Sequence, residues 1–181
     1  MFTSKRSFLL VITLLVGILL LLSACTATPV PATPTPTTGP CAFVWASYDL
    51  EESSLKLQAA LDAAGLENIT GNASVFGENC VNEDGSIESF AARDVDIYLS
   101  IAVDSLLDTA SMGEQAMGAV EVLMALPADT FPNTINFVNF QFTDGGNVFY
   151  VQQSYAGLVV LVESQPTGQE FYKSIQQPAP F

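Results

Sequence analysis

Between Thr26 and Pro40 the chain reads TATPVPATPTPTTGP, and no packed element can be built through it. Proline recurs every few positions, fixing φ and removing backbone donors, and the segment has no charge and no aromatic side chain. It is expected to be extended and partly polyproline-like, reaching about 3.1 Å per residue. The chain is thereby cut into three parts. Residues 1–24 precede the segment, residues 25–40 form a Pro/Thr-rich linker that starts at Cys25, and residues 41–181 are left to form one globular domain, a size that suits a single core.

The first part has a short basic start with Lys5 and Arg6, then an almost unbroken apolar run from Phe8 to Leu22, then Ser23 and Ala24. Basic, apolar and small is the order of a secretory signal, and the apolar run is short for a stable bilayer span. Leu22-Ser23-Ala24-Cys25 resembles the lipobox of bacterial lipoproteins. The resemblance implies a diacylglycerol on the Cys25 sulfur, cleavage before Cys25, and usually acylation of the new amine. It implies an extracytoplasmic domain held to the cell-envelope membrane through Cys25, with the linker as spacer. Thr26 stands where an aspartate would signal inner-membrane retention. An uncleaved anchor helix with an incidental cysteine is the competing reading.

Loss of residues 1–24 leaves Lys56, Arg93 and Lys173 against 19 acidic residues, a net charge of −16. Such a surface repels phosphate backbones, so no nucleic acid is expected as a partner. Nor is there any histidine. That excludes Ser-His-Asp and Cys-His nucleophiles and His-ligated zinc within this chain. Carboxylate chemistry, Lys-assisted nucleophiles and oxygen-ligated metals survive; no cofactor is expected.

With Cys25 lipidated, Cys41 and Cys80 remain. In an oxidising compartment they are expected to form a disulfide, the competing reading being two buried free thiols.

Ala42–Tyr48 is expected as a buried strand, and Asp49-x-x-Glu52 as a capping box. The box opens a helix with Leu57, Ala60, Leu61 and Ala64 on one face, ended by Gly65. Ile69–Cys80 reads as a second strand, weakened by Gly71 and Gly77. Val95–Val103 alternates cleanly, with Val95, Ile97, Leu99, Ile101 and Val103 on one face and Asp96, Tyr98 and Ser100 on the other. Ser111-x-x-Glu114 reads as a second capping box before a helical stripe that stops at Pro127. Thr134–Phe142 is a strand whose apolar parity changes between Phe137 and Val138, which predicts a bulge or burial of both faces. Asp144–Asn147 is a hairpin turn into Val148–Gln152. Residues 155–164 fit strand or helix, and Thr167-x-x-Glu170 opens a short terminal helix. The order predicts an α+β domain, an antiparallel-rich sheet with two main helices on one face. The first six elements match the ferredoxin-like βαββαβ order, followed by an added hairpin strand and the short helix.

Candidate sites are few. Ser53-x-x-Lys56 fits the nucleophile motif of penicillin-binding proteins and serine β-lactamases, but the later motifs of that chemistry do not follow. Glu78, Asn82 and Asp84, with Glu83 and Glu88, are a weak Ca²⁺ candidate around a glycine turn. Asp94 and Asp96, with Glu88, are a carboxylate candidate. Aromatic residues on the strands, among them Trp45, Tyr98 and Phe140, are a candidate ligand platform if one sheet face is open. The expected function is a membrane-anchored, non-enzymatic binding or interaction module whose ligand, a protein or a small molecule, is not named by the sequence. A carboxylate- or Ser/Lys-based envelope hydrolase and a structural or assembly lipoprotein are the alternatives.

Overall fold

The computed structural model describes residues 41–177. The expectations for residues 1–24, for Cys25 and for the linker up to Pro40 fall outside the described residues. Nine elements follow one another: β1 (Ala42–Asp49), α1 (Glu51–Ala63), β2 (Ile69–Val81), β3 (Ile87–Ala102), α2 (Thr109–Ala125), β4 (Ile135–Thr143), β5 (Val148–Ser154), α3 (Tyr155–Glu163) and α4 (Gly168–Ile175).

The domain is α+β, and its five strands lie in sequential order, β1-β2-β3-β4-β5. All neighbours are antiparallel except β3 and β4, which run parallel and are joined through α2. The expected element order is present, but a ferredoxin-like sheet interleaves its strands and this one does not. The reason lies in α1. It does not carry the chain across the sheet to a parallel position; it runs along the edge of β2, and β2 returns beside β1. β1 pairs with Ser74–Val81 only. The remaining edge, Ile69–Ala73, is met by α1 side chains. Ser54 Oγ accepts from Ala73 N at 2.9 Å, and Gln58 bonds both Ile69 O (3.0 Å) and Gly71 N (2.9 Å). Four helical residues advance about 6 Å and two strand residues about 6.7 Å, so Ser54 and Gln58 fall into step with Ala73 and Gly71.

The core lies between one sheet face and the helices. Ile69, Ala73 and Val75 of β2, Val95, Ile97, Leu99 and Ile101 of β3, and Val138, Phe140 and Phe142 of β4 are buried. They meet Leu57 and Leu61 of α1, Met112, Ala116, Val120 and Leu123 of α2, Leu158 and Val162 of α3, and Phe171 and Ile175 of α4. α2 and α4 touch through Gly113 and Gly168. A Cβ on either would strike backbone, that of Gly168 in the first case and of Ala110 in the second, so the pair needs two residues without side chains.

Several local expectations need correction. β1 is an edge strand with Phe43 68% and Trp45 58% exposed, so its apolar run does not mark burial. The Asp49 capping box does not form: Leu50 occupies the N-cap, and Glu51 and Glu52 sit in the positive first turn. α2 begins earlier than its motif suggested, with Asp108 as N-cap accepting from Ser111 N at 3.1 Å. Thr167 and Glu170 do form a capping box. Gly65 follows α1 at φ 77°, the left-handed conformation that ends helices. Residues 155–163 are helix, because the Ser154 hydroxyl accepts from Gly157 N and Leu158 and Val162 share one buried face. The parity change in β4 is a bulge, placed at Asn136, which the register skips.

Cys41 and Cys80 are joined by a disulfide across the β1–β2 pair, with a Cα–Cα distance of 5.2 Å. Among the described residues no helix is long and apolar enough to cross a membrane.

Candidate functional site

Strand alternation settles what the other sheet face carries. The register aligns Asn72, Tyr98, Asn139 and Gln152 in one row across β2, β3, β4 and β5, and Thr70, Ser100, Gln141 and Tyr150 in the next. Among the described residues these two rows hold no charged side chain, although the chain has 19 acidic residues. Each row offers amide and hydroxyl groups that both donate and accept. Gln152 Nε2 donates to Asn139 Oδ1 at 2.9 Å, and Asn139 Nδ2 donates to the Ile97 carbonyl at 3.2 Å. The two amides are thus held in a fixed orientation. Tyr98 is 45% exposed and Tyr150 68% exposed.

Towards β1 the same face becomes aromatic. Trp45 and Phe76 stack with ring centroids 5.0 Å apart, and the Arg93 guanidinium lies 5.3 Å from the Trp45 ring centre. Arg93 is the extra residue of a β3 bulge, skipped where Phe76 pairs with Asp94 and Gly77 with Ala92. The bulge lets it bond Glu78 at 2.8 Å as well. A groove of about 570 Å³ borders the polar rows where α1 meets β2, lined among others by Asp49, Glu51, Thr70 and Asn72.

One carboxyl sits at the centre of the face. Asp96 is held above the ordinary carboxylate pKa by burial, against the pull of the Phe137 backbone N–H and with a smaller push from Asp94. Its Oδ1 is buried with no hydrogen-bond partner.

The residues singled out from the sequence divide. Trp45 and Tyr98 lie on the open face. Phe140 lies on the opposite face, 1% exposed in the core, because the bulge at Asn136 fixes Val138, Phe140 and Phe142 inward. Glu78 is engaged by Arg93, while Asn82 and Asp84 bond Ser86 within the β2–β3 turn, so the three are not brought together. Among the described residues, the one grouping of potential ligand atoms within 4.8 Å is Cys41, Cys80 and Glu88, whose sulfurs are already joined to each other. Ser53 donates to the buried Thr130 carbonyl at 2.7 Å while Lys56 pairs with Glu52 on the surface, so S-x-x-K does not converge. Glu88 is eight residues along β3 from Asp96, about 26 Å at strand rise, and cannot join it. Asn72, Asn139, Gln141, Gln152 and Phe76 were not singled out from the sequence. For Asn139 and Gln141 a signal existed, the strict alternation of polar and apolar residues from Val138 to Phe142.

No protein-family model, curated protein or solved structure matches this chain.

Proposed function

We propose that the domain is a non-enzymatic binding module on the extracytoplasmic side of the cell-envelope membrane, tethered by lipid on Cys25 and held off the membrane by the Thr26–Pro40 linker. One observation carries the binding role: the helices cover only one sheet face, and the other presents oriented amides between exposed aromatic rings. Polar groups fixed in place beside aromatic surface are what a specific site needs. Ser53 and Lys56 do not converge, and Glu88 lies far along β3 from the Asp94 and Asp96 pair, which speaks for binding over hydrolysis. The anchor rests on the lipobox-like Leu22–Cys25 tetrapeptide and the apolar run before it.

Photo-crosslinking on intact cells tests this reading. A crosslinking residue replaces Tyr98, and in a second strain Leu107, which is 92% exposed in the β3–α2 loop. Capture from position 98 of a discrete species that position 107 does not capture supports a binding face. Equal capture, or none from either, removes it. Radiolabelled palmitate should enter the full chain and not Cys25→Ser; incorporation into both would remove the anchor.

A further inference from the structure

The aromatic and amide groups of the open face follow a line, and that line defines a ligand class. Trp45 pairs with Glu78 on β2, Phe76 lies two residues further on, Asp96 pairs with Ser74 two residues beyond that, and Asn139 and Tyr150 continue the same step on β4 and β5. Each move to the next strand advances two residues. Trp45 and Tyr150 are therefore four strands and eight residues apart, about 30 Å at ordinary strand spacing and rise. Tyr98 lies beside the middle of the line, and Asn72, Gln141 and Gln152 flank it.

We infer that this diagonal binds an extended neutral glycan chain, an inference that rests on the binding-module reading. Three properties select that class. The track is long and open, so it suits a polymer segment more than a compact ligand. Asp96 is the carboxyl at its middle, and the rows beyond it towards β5 are uncharged in an acidic domain, so this stretch offers no cation to a phosphate or carboxylate polymer, and the surrounding negative charge repels one. Its chemistry is flat at both ends, with Trp45 and Phe76 at one and Tyr150 at the other, and hydrogen-bonding between them. A pyranose ring has an apolar C–H face that packs on the electron-rich face of Trp or Tyr, and a rim of hydroxyls that donate and accept as side-chain amides do. An apolar protein partner would leave Asn72, Asn139, Gln141 and Gln152 to be desolvated without matched groups.

The chain supplies its own reporter, because Trp45 is the sole tryptophan. Cellohexaose, maltohexaose and chitohexaose are titrated against the protein, with hexagalacturonic acid as a charged counterpart, and Trp45 emission is followed. At least one neutral hexasaccharide should shift the emission saturably at millimolar concentration or below, and the acid should not. Tyr98→Ala and Tyr150→Ala should each weaken that affinity roughly tenfold. Both lie on a solvated face, so each variant should keep the wild-type unfolding midpoint. Silence with all three neutral probes, an equal response to the acid, or affinity unmoved in both tyrosine variants overturns the glycan assignment. The crosslinking at position 98 then decides separately whether the face binds a ligand of another class.

Discussion

The Gln58 side chain serves β2 as a peptide unit would, donating Nε2 to the Ile69 carbonyl and accepting at Oε1 from the Gly71 N–H. An edge strand left bare is a template for pairing with other chains. Here a helix closes five residues of edge with two side chains, and Leu50 N adds a bond to Ala73 O at 2.9 Å.

Gln58→Ala should therefore cost more than loss of an exposed polar residue. It orphans a donor and an acceptor beside the buried Ile69 and Gly71, a penalty of about 1–3 kcal/mol. Urea unfolding measures it. Gln58→Glu keeps an acceptor for Gly71 but faces the Ile69 carbonyl with a second acceptor, and should not rescue. Wild-type stability in the alanine variant would show that water replaces both bonds at no cost.

The disulfide closes a loop of 39 residues. In the chain-entropy picture that corresponds to about 4 kcal/mol. Cys41→Ser/Cys80→Ser should lower the denaturant midpoint accordingly, and a reductant should reproduce the effect on the wild type. An unchanged midpoint under both treatments would mean the loop ends are already held together by the β1–β2 ladder.

Asp96 gives stability a pH dependence of unusual sign. Its folded pKa is raised above the ordinary 3.8, so the folded state holds this proton more tightly than the unfolded chain. Its contribution is fully present below the unfolded pKa and is lost as pH rises through the folded pKa. Asp96→Asn should then stabilise at neutral pH and give no gain in acid. Paired unfolding curves at the two pH values check this; a gain of equal size at both would trace the effect to packing and not to ionisation.

The caps separate two readings of one helix start. Asp108→Ala should destabilise by about 1 kcal/mol, because it removes the acceptor for Ser111 N. Ser111→Ala removes only the hydroxyl that accepts from Gln115 at 3.1 Å, and should cost less. The reverse order, read from thermal unfolding, would restore Ser111 as the cap.

Gly113→Ala should be strongly damaging. The added Cβ would strike the Gly168 backbone, so α2 and α4 must part, at a cost of about 3 kcal/mol or more. A soluble variant of wild-type stability would mean that α4 can be displaced freely.

What the sequence disclosed was whatever repeats locally. The alternation of Val95–Ile101 fixed the two faces of β3, Leu57 and Leu61 marked the buried stripe of α1, and Thr167 with Glu170 gave a cap in full. What stayed hidden depends on partners distant in the chain. AFVWASY reads as core because its residues are apolar, but its place at the sheet edge is decided by α1 turning back along β2. The run at 155–163 is rich in β-branched residues, and only the end of β5 at Ser154 makes a helix cap available there. Tyr98 could be assigned to an open face from β3 alone. Asn139 and Gln152 join it only through the β3–β4 and β4–β5 registers, and Phe140 was misplaced because one bulged residue reverses the sides of β4.

The Cys41–Cys80 bond also decides how the domain bears load. Any pull arriving along the preceding chain enters at Cys41, the residue before an edge strand that would otherwise unzip one ladder bond at a time. The sulfur bridge passes that force directly into β2, which is paired on both sides. Load entering at Cys41 therefore reaches an interior strand without β1 having to peel away first.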